Sequence, residues 1–105
     1  MTAKTRKEKL QAMLADEPHD PELLYMLAME HVSEGNDEQA VRTFQELLAH
    51  APEHIAAYHQ AARALQRLGQ LTQARATLQS GIPIALKNGD THAAGEMQGL
   101  LDMLD

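Results

Sequence analysis

A repeat spacing of about 34 residues organises this chain and constrains its fold more than any other feature. Gly35 recurs as Gly69, and Pro52 is preceded at the same distance by Pro18. A fixed period of this length is typical of stacked supersecondary units, each of which buries its apolar face against the next unit. The spacing therefore predicts a stack of helix pairs, which offers a binding surface rather than an enclosed reaction centre.

Composition narrows the class of protein further. The chain has 105 residues, enough for one domain, with 44% hydrophobic but only 3% aromatic residues. Such a core has to be built from aliphatic and small side chains. There is no cysteine, which excludes disulfides and thiolate metal sites. Because the sequence shows neither a secretory signal nor a run of about 20 apolar residues, we expect a cytoplasmic protein.

Apolar residues recur at helical spacing along the whole chain, and no segment alternates with the period of a strand. Asp20 and Asn36 are typical N-caps, and Gly35 and Gly69 are typical left-handed helix ends. Together these signals predict an all-α protein of about six helices, which cover approximately residues 3–16, 21–35, 36–52, 53–68, 71–88 and 90–105.

The fifth helix contains an unfavourable residue. Pro83 lacks a backbone donor and crowds the carbonyl of Gln79, and Gly81 lies close by. We therefore expect this helix to kink at Pro83, or to end early and resume.

Small and bulky residues repeat in a fixed order. The first set is Leu24, Leu27, Ala28, His31, Gly35, Ala40, Phe44 and Pro52, and the second is Tyr58, Ala61, Ala62, Leu65, Gly69, Ala74 and Leu78. This order resembles the tetratricopeptide repeat (TPR) family, in the form of its small bacterial-type members.

The resemblance implies an α-α superhelix that forms a single TPR-like domain over residues 1–105. Two full repeats, 21–54 and 55–88, are flanked by an N-terminal half-repeat helix (1–18) and a C-terminal capping helix (90–105). The second repeat departs from the pattern, because Leu86 stands where the family has its closing proline. His31 occupies a position that is usually aromatic, and we expect it to be packed and hydrogen-bonded.

The resemblance also implies that the first helix of each repeat lines a concave groove that holds a peptide. The positions that carry over are Glu22, Tyr25, Met26, Met29, Ser33, His59, Gln60, Arg63, Gln66 and Arg67. Tyrosine and methionine are adaptable apolar contacts, and arginine can bind a carboxylate with two hydrogen bonds. We therefore expect a protein–protein interaction module or adaptor, with a protein or peptide partner that carries an apolar segment and an acidic end.

Two alternatives stay open. Arg63 and Arg67 could instead pair internally with Glu30 and Glu34 of the neighbouring helix. Charge is also unevenly distributed, since residues 21–54 carry seven acids and one arginine whereas residues 55–88 carry four bases and no acid. Opposite charge on successive repeats could support a self-assembling homo-oligomer, such as a homodimer.

The distribution of charge along the sequence does not resemble a nucleic-acid footprint, and we expect neither nucleic acid nor a membrane as a partner.

Catalytic and metal-binding patterns are missing from the sequence. His50 and His54 are four residues apart, but a proline separates them and no cysteine or carboxylate cluster joins them. There is also no glycine-rich phosphate loop, nucleophile elbow or H-E-x-x-H sequence. We therefore predict that the protein is not an enzyme and uses no metal or cofactor.

Overall fold

A computed structural model describes residues 3–104, and these residues form an elongated stack of antiparallel helices measuring 50 × 28 × 20 Å. No strand occurs among them, which confirms the predicted all-α fold class. The helices are α1 (Arg6–Asp16), α2 (Pro21–Ser33), α3 (Asp37–His50), α4 (Ile55–Arg67), α5 (Leu71–Lys87) and α6 (Thr91–Leu104).

The helix starts follow from local side-chain chemistry. The Asp20 carboxylate accepts hydrogen bonds from the Glu22 and Leu23 amides, and Pro21 occupies the first position of α2, where no backbone donor is needed. Asn36 accepts from the amide of Gln39 at the start of α3 in the same way. These two predicted N-caps are confirmed.

Three glycine turns with one geometry end α2, α4 and α5. Gly35, Gly69 and Gly89 have φ angles of 74°, 76° and 75°, a region that favours glycine because it has no Cβ. After each glycine the next amide donates back to a carbonyl in the last helical turn, as Asn36 does to His31 at 2.8 Å. The chain thus enters α6 through the same kind of turn that joins the two helices within each repeat.

The connections that contain proline are also related by the period. Glu17, which ends α1, has φ −130° and ψ 74°, and Ala51, which ends α3, has φ −136° and ψ 72°. Leu10 of α1 is buried like Phe44 of α3, its counterpart one period later. The first helix therefore joins α2 as the second helix of a repeat joins the next repeat.

Two clusters of buried side chains form the core, and alanines lie at the helix crossings. Ala28 and Ala40 belong to the cluster of the first repeat, and Ala62 and Ala74 belong to the cluster shared by the second repeat and α6. All four are fully buried. Small residues here let helix backbones approach closely, so a larger side chain would force the helices apart.

Helix α5 runs from Leu71 to Lys87 with Pro83 inside it, so the alternative of an early end at Pro83 is wrong, and the kink stays a prediction. Pro83 is exposed, whereas Gly81 and Ala85 on either side of it are buried. Gly81 lies against Tyr58 of α4 and Met97 of α6. These buried contacts hold the segment in helical conformation although one backbone hydrogen bond is missing.

Candidate partner-binding face

The ten residues predicted to bind a partner all lie on α2 and α4, and we refer to them together as the groove face. None of the ten is buried. Five are exposed (Glu22, Met26, Ser33, Arg63 and Arg67) and five are partly buried (Tyr25, Met29, His59, Gln60 and Gln66).

The part of the groove face on α2 is apolar and supported from beneath. Tyr25 and Met29 pack against the core cluster that contains Phe44 and residues of α4, while Met26 is 38% exposed. The Tyr25 and Phe44 rings lie 6.0 Å apart at an angle of 60°. Burial raises the pKa of Tyr25, and the charge of Glu22 raises it further. The phenol therefore stays neutral and can act as an apolar contact with a hydroxyl group.

His54 completes this side of the face, although it was not among the predicted residues. Its ring stacks on Tyr25 with centroids 5.1 Å apart and planes at 26°, and its Nε2 lies 3.6 Å from a carboxylate oxygen of Glu22. Its Nδ1 accepts the Ala57 amide at 3.2 Å and so caps α4. One sequence signal could have found it, because His54 stands one period after the N-cap Asp20.

The two arginines of the groove face are not equivalent. Arg67 forms hydrogen bonds with both carboxylate oxygens of Asp37, through Nε at 3.0 and 3.2 Å and Nη2 at 2.9 Å. Arg63 is exposed and makes no ion pair with any acidic side chain among residues 3–104. The guanidinium available to a partner is therefore that of Arg63.

Internal pairing of Arg67 was one of the two alternatives, but its predicted partners were wrong. Glu30 pairs with Arg6 at 2.9 Å, and Glu34 pairs with Lys7 at 3.2 Å. Both bases come from α1, which packs directly against α2. Because α1 is adjacent to the side of α2 that carries these acids, its basic residues reach them instead of the arginines of α4.

The pKa of His59, on the α4 part of the groove face, is lowered from its ordinary value. Burial lowers the pKa of His59; Glu96 of α6 raises it and Arg63 lowers it, both less strongly. The imidazole is therefore uncharged at neutral pH.

His31 lies away from the groove face, packed in the interior near α1. It is buried as expected, but its Nδ1 has no hydrogen-bond partner. The nearest acid, Glu34, is 3.7 Å away and is itself paired with Lys7. Burial lowers the pKa of His31, with Lys7 acting in the same direction and Glu34 opposing it.

The groove face is an open surface rather than an enclosed cavity. One depression on the described part of the molecule lies between α3 and the start of α5, and two others lie beside the connections before α2 and α4. Glu22 is the one residue of the groove face that borders any of these three.

Residues 3–104 contain neither a cluster of metal-binding side chains nor a helix that could span a membrane. No group of three or more histidine, cysteine, aspartate or glutamate side chains is placed to hold a metal ion. His19 and His50 do meet, but as stacked rings with centroids 3.9 Å apart. Within the same residues, none of the helices combines the length and the apolar character that crossing a membrane requires.

Comparison with known proteins decides the family. The tetratricopeptide repeat model matches residues 7–61 and, in a second register, residues 31–94. The chain belongs to the tetratricopeptide repeat family. No match was found among curated proteins.

Several solved structures share this fold. A TPR domain protein from Salinibacter ruber is 28% identical, with a TM-score of 0.78 over 84% of this chain and 89% of that one. Protein BPP2914 from Bordetella parapertussis is 25% identical, with a TM-score of 0.83 over 97% and 89%. PcrH, solved in complex with the chaperone binding region of PopD, is 19% identical, with a TM-score of 0.87 over 93% and 74%. The last likeness shows the fold alone.

Proposed function

We propose that this TPR protein is an interaction module or adaptor whose groove face binds a peptide or a segment of a partner protein. The observation that carries the proposal is that apolar side chains on α2 and Arg63 on α4 are accessible, and that Arg63 has no ion pair within residues 3–104. TPR proteins are generally non-enzymatic scaffolds, which agrees with this role. The PcrH complex supports it further, because that protein, with a similar fold, holds a segment of another protein.

The chemistry of the face suggests how such a segment lies. Its apolar part contacts Tyr25, Met26 and Met29 on α2, where side chains are accessible and backed by the core. Its acidic end lies at Arg63, whose guanidinium can form two hydrogen bonds with a carboxylate. Arg67 contributes less, since it would first have to leave Asp37.

Peptide titrations with charge-reversed variants test this arrangement. The probes are synthetic peptides with an apolar segment and either an acidic or a basic end. We expect Arg63→Glu to weaken binding of the acidic-ended peptide about 10- to 100-fold, the worth of one charged hydrogen bond. Arg42→Glu on α3 is the matched control, because Arg42 is also exposed but lies outside the groove face. Equal affinities for Arg63→Glu and the parent protein would remove Arg63 from the site.

Self-assembly is the second candidate, supported by apolar residues exposed on the last two helices. Leu86 of α5 is 56% exposed and Met103 of α6 is 75% exposed. Light scattering over a concentration series separates the candidates. A mass that rises with concentration and falls in a Leu86→Gln, Met103→Gln variant would favour the homo-oligomer, and a constant monomer mass favours the adaptor. The cytoplasmic location expected from the sequence stays a prediction.

A further inference from the structure

The N-cap of α4 differs chemically from the other side-chain caps of the structure. The remaining caps use oxygen acceptors, from Thr5, Asp20, Asn36 and Asp90. In α4 the acceptor is the imidazole Nδ1 of His54. Histidine is the side chain whose charge ordinarily changes between about pH 5 and 8.

The hydrogen bond to Ala57 fixes which protonation states fit the cap. Because Nδ1 accepts the Ala57 amide at 3.2 Å, the neutral ring carries its hydrogen on Nε2. A second proton has to bind Nδ1, which then faces the amide as a donor instead of an acceptor. It also places a positive charge at the positive end of the α4 dipole. A protonated ring therefore cannot remain in the capping position.

The charged groups around His54 do not compensate for this loss. Glu22 and Tyr25 face it from α2, and Glu53 precedes it in the chain. Glu22 attracts a protonated ring, but its side chain is 79% exposed and its oxygen is 3.6 Å from Nε2. Water and salt screen such a pair strongly. Tyr25 stays uncharged, because burial raises its pKa.

The same ring is also one of the contacts that position Tyr25 in the groove face. Tyr25 has Phe44 on one side at 6.0 Å and the stacked His54 ring at 5.1 Å. If His54 rotates away from Ala57, it leaves this stack, and Tyr25 loses one of its two aromatic neighbours. Release of the cap and rearrangement of a groove-face residue are therefore one event.

We propose that His54 is a pH-sensitive cap: protonation of its imidazole frees the first turn of α4 and releases Tyr25, and so weakens binding at the groove face. The step is a proton transfer from solvent to Nδ1, after which the Ala57 amide keeps only its hydrogen bond to the His54 carbonyl, at 3.2 Å. The effect on binding rests on the proposed function, but the effect on α4 and Tyr25 does not.

An NMR titration of the isolated protein tests the structural part. From about pH 8 to about pH 5 we expect the His54 ring signals, the Ala57 amide and the Tyr25 ring signals to move with one midpoint. The control is His54→Asp, which places at α4 the carboxylate that caps α2 through Asp20. In that variant the Ala57 and Tyr25 signals are expected to stay constant. Constant Ala57 signals while His54 becomes protonated in the parent protein, or equal titration in both proteins, would overturn the proposal.

His19 and His50 could produce a separate pH response, because they stack on each other at 3.9 Å. A His19→Gln, His50→Gln double variant removes that response and leaves His54 unchanged. We expect the Ala57 and Tyr25 signals of this variant to titrate as in the parent protein. Loss of the titration would assign the effect to the stacked pair instead and overturn the role of His54.

Binding is measured with the acidic-ended peptide probe at about pH 7.5 and about pH 5.5. We expect the parent protein to lose roughly two- to tenfold in affinity at the lower pH, which corresponds to one aromatic contact. The His54→Asp variant is expected to keep a constant affinity. A constant affinity in the parent protein would overturn the link to binding. Absence of peptide binding at both pH values would contradict the proposed function, while the NMR titration would still decide the fate of the cap.

Discussion

Gly81 lies where α4, α5 and α6 meet, and one added methyl group there tests the packing of the second repeat. A Cβ on this residue would lie 2.6 Å from Cβ and 2.9 Å from Cγ of Tyr58, and 3.0 Å from the sulfur of Met97. Carbon atoms in contact are ordinarily about 3.5–4.0 Å apart. The sulfur belongs to a flexible side chain, but Cβ of Tyr58 is fixed by its backbone. The Gly81→Ala variant therefore has to separate α4 from α5.

Two opposing terms set the size of this effect. Alanine is favoured over glycine in a helix interior by about 0.5–1 kcal/mol. Overpacking of a well-filled core costs about 1–3 kcal/mol. Because the overlap involves a backbone-fixed carbon, we expect the second term to dominate, with a net loss of roughly 0.5–2 kcal/mol in the free energy of unfolding.

Gly99→Ala supplies the matched control. Gly99 also lies within a helix, α6, but a Cβ there would meet no atom within 4 Å. The free energy of unfolding of this variant should rise by about 0.5–1 kcal/mol. The difference in stability between the two variants therefore isolates the cost of overpacking. Thermal unfolding followed by circular dichroism measures the stability of both variants. For a small domain, each kcal/mol of stability shifts Tm by about 4–8 °C. Equal stabilisation by both substitutions would refute the close approach of α4 and α5 at Gly81.

Three further predictions concern buried and paired side chains. Burial lowers the pKa of His31 in the folded protein. As the pH falls, the His31 imidazole therefore binds a proton in the unfolded chain before it does so in the folded protein, and the free energy of unfolding should decrease below about pH 6.5. His31→Phe should flatten that decrease in urea unfolding at about pH 7.5 and 5.5, and an unchanged slope would contradict a neutral buried ring. Ala40→Leu should lower the free energy of unfolding by about 1–3 kcal/mol through overpacking, because Ala40 is buried. Ala49→Leu, on the exposed side of α3, is the control and should change it by less than about 0.5 kcal/mol, as measured by chemical denaturation of both variants. Asp37→Asn should cost at most about 1 kcal/mol, and the loss should shrink in about 1 M salt as the Arg67 pair is screened; a salt-independent loss would point to packing instead.

Much of the fold could be predicted from the sequence because it depends on local rules. Asp20 and Asn36 start helices through bonds to amides two or three residues away, and Gly35 ends one through its own backbone conformation. The continuation of α5 through Pro83 could not be predicted in this way. It depends on contacts of Gly81 with Tyr58 and with a later helix, which no local rule contains.

That the ten residues of the groove face bind a partner stays a prediction, but their accessibility and their interactions can be compared with the sequence. The period placed the ten residues of the groove face on two accessible helix surfaces. It could not show that Arg67 would meet Asp37, because the two are 30 residues apart and their contact depends on how α3 and α4 pack. The cap formed by His54 is a contact with an amide only three residues later, and it was missed for a different reason. Its role follows from one ring nitrogen facing the start of α4, which residue type alone does not reveal.

Differences between equivalent positions of the two repeats distinguish this chain from a regular array. In the first repeat Leu24 and Leu47 are both buried in one cluster, and one period later these positions hold Tyr58 and Gly81. Tyr58 is larger than Leu24, and Gly81 lacks the side chain that Leu47 has. Gly81 also lies directly against Tyr58. The two positions therefore act as one packing unit, and neither residue can be exchanged alone for its counterpart in the first repeat.

The same comparison explains why the groove face has two chemically distinct halves. Met29 and Ser33 on α2 are replaced at the equivalent positions of α4 by Arg63 and Arg67. A regular array would repeat one chemistry along the face, whereas here an apolar half adjoins a cationic half. A partner that matches both halves can bind in one direction only, because reversal would place its acidic end over the methionines. Reversing the order of an acidic-ended peptide should therefore abolish the contribution of Arg63, and equal sensitivity of both peptide orders to Arg63→Glu would show that the two halves do not impose a direction.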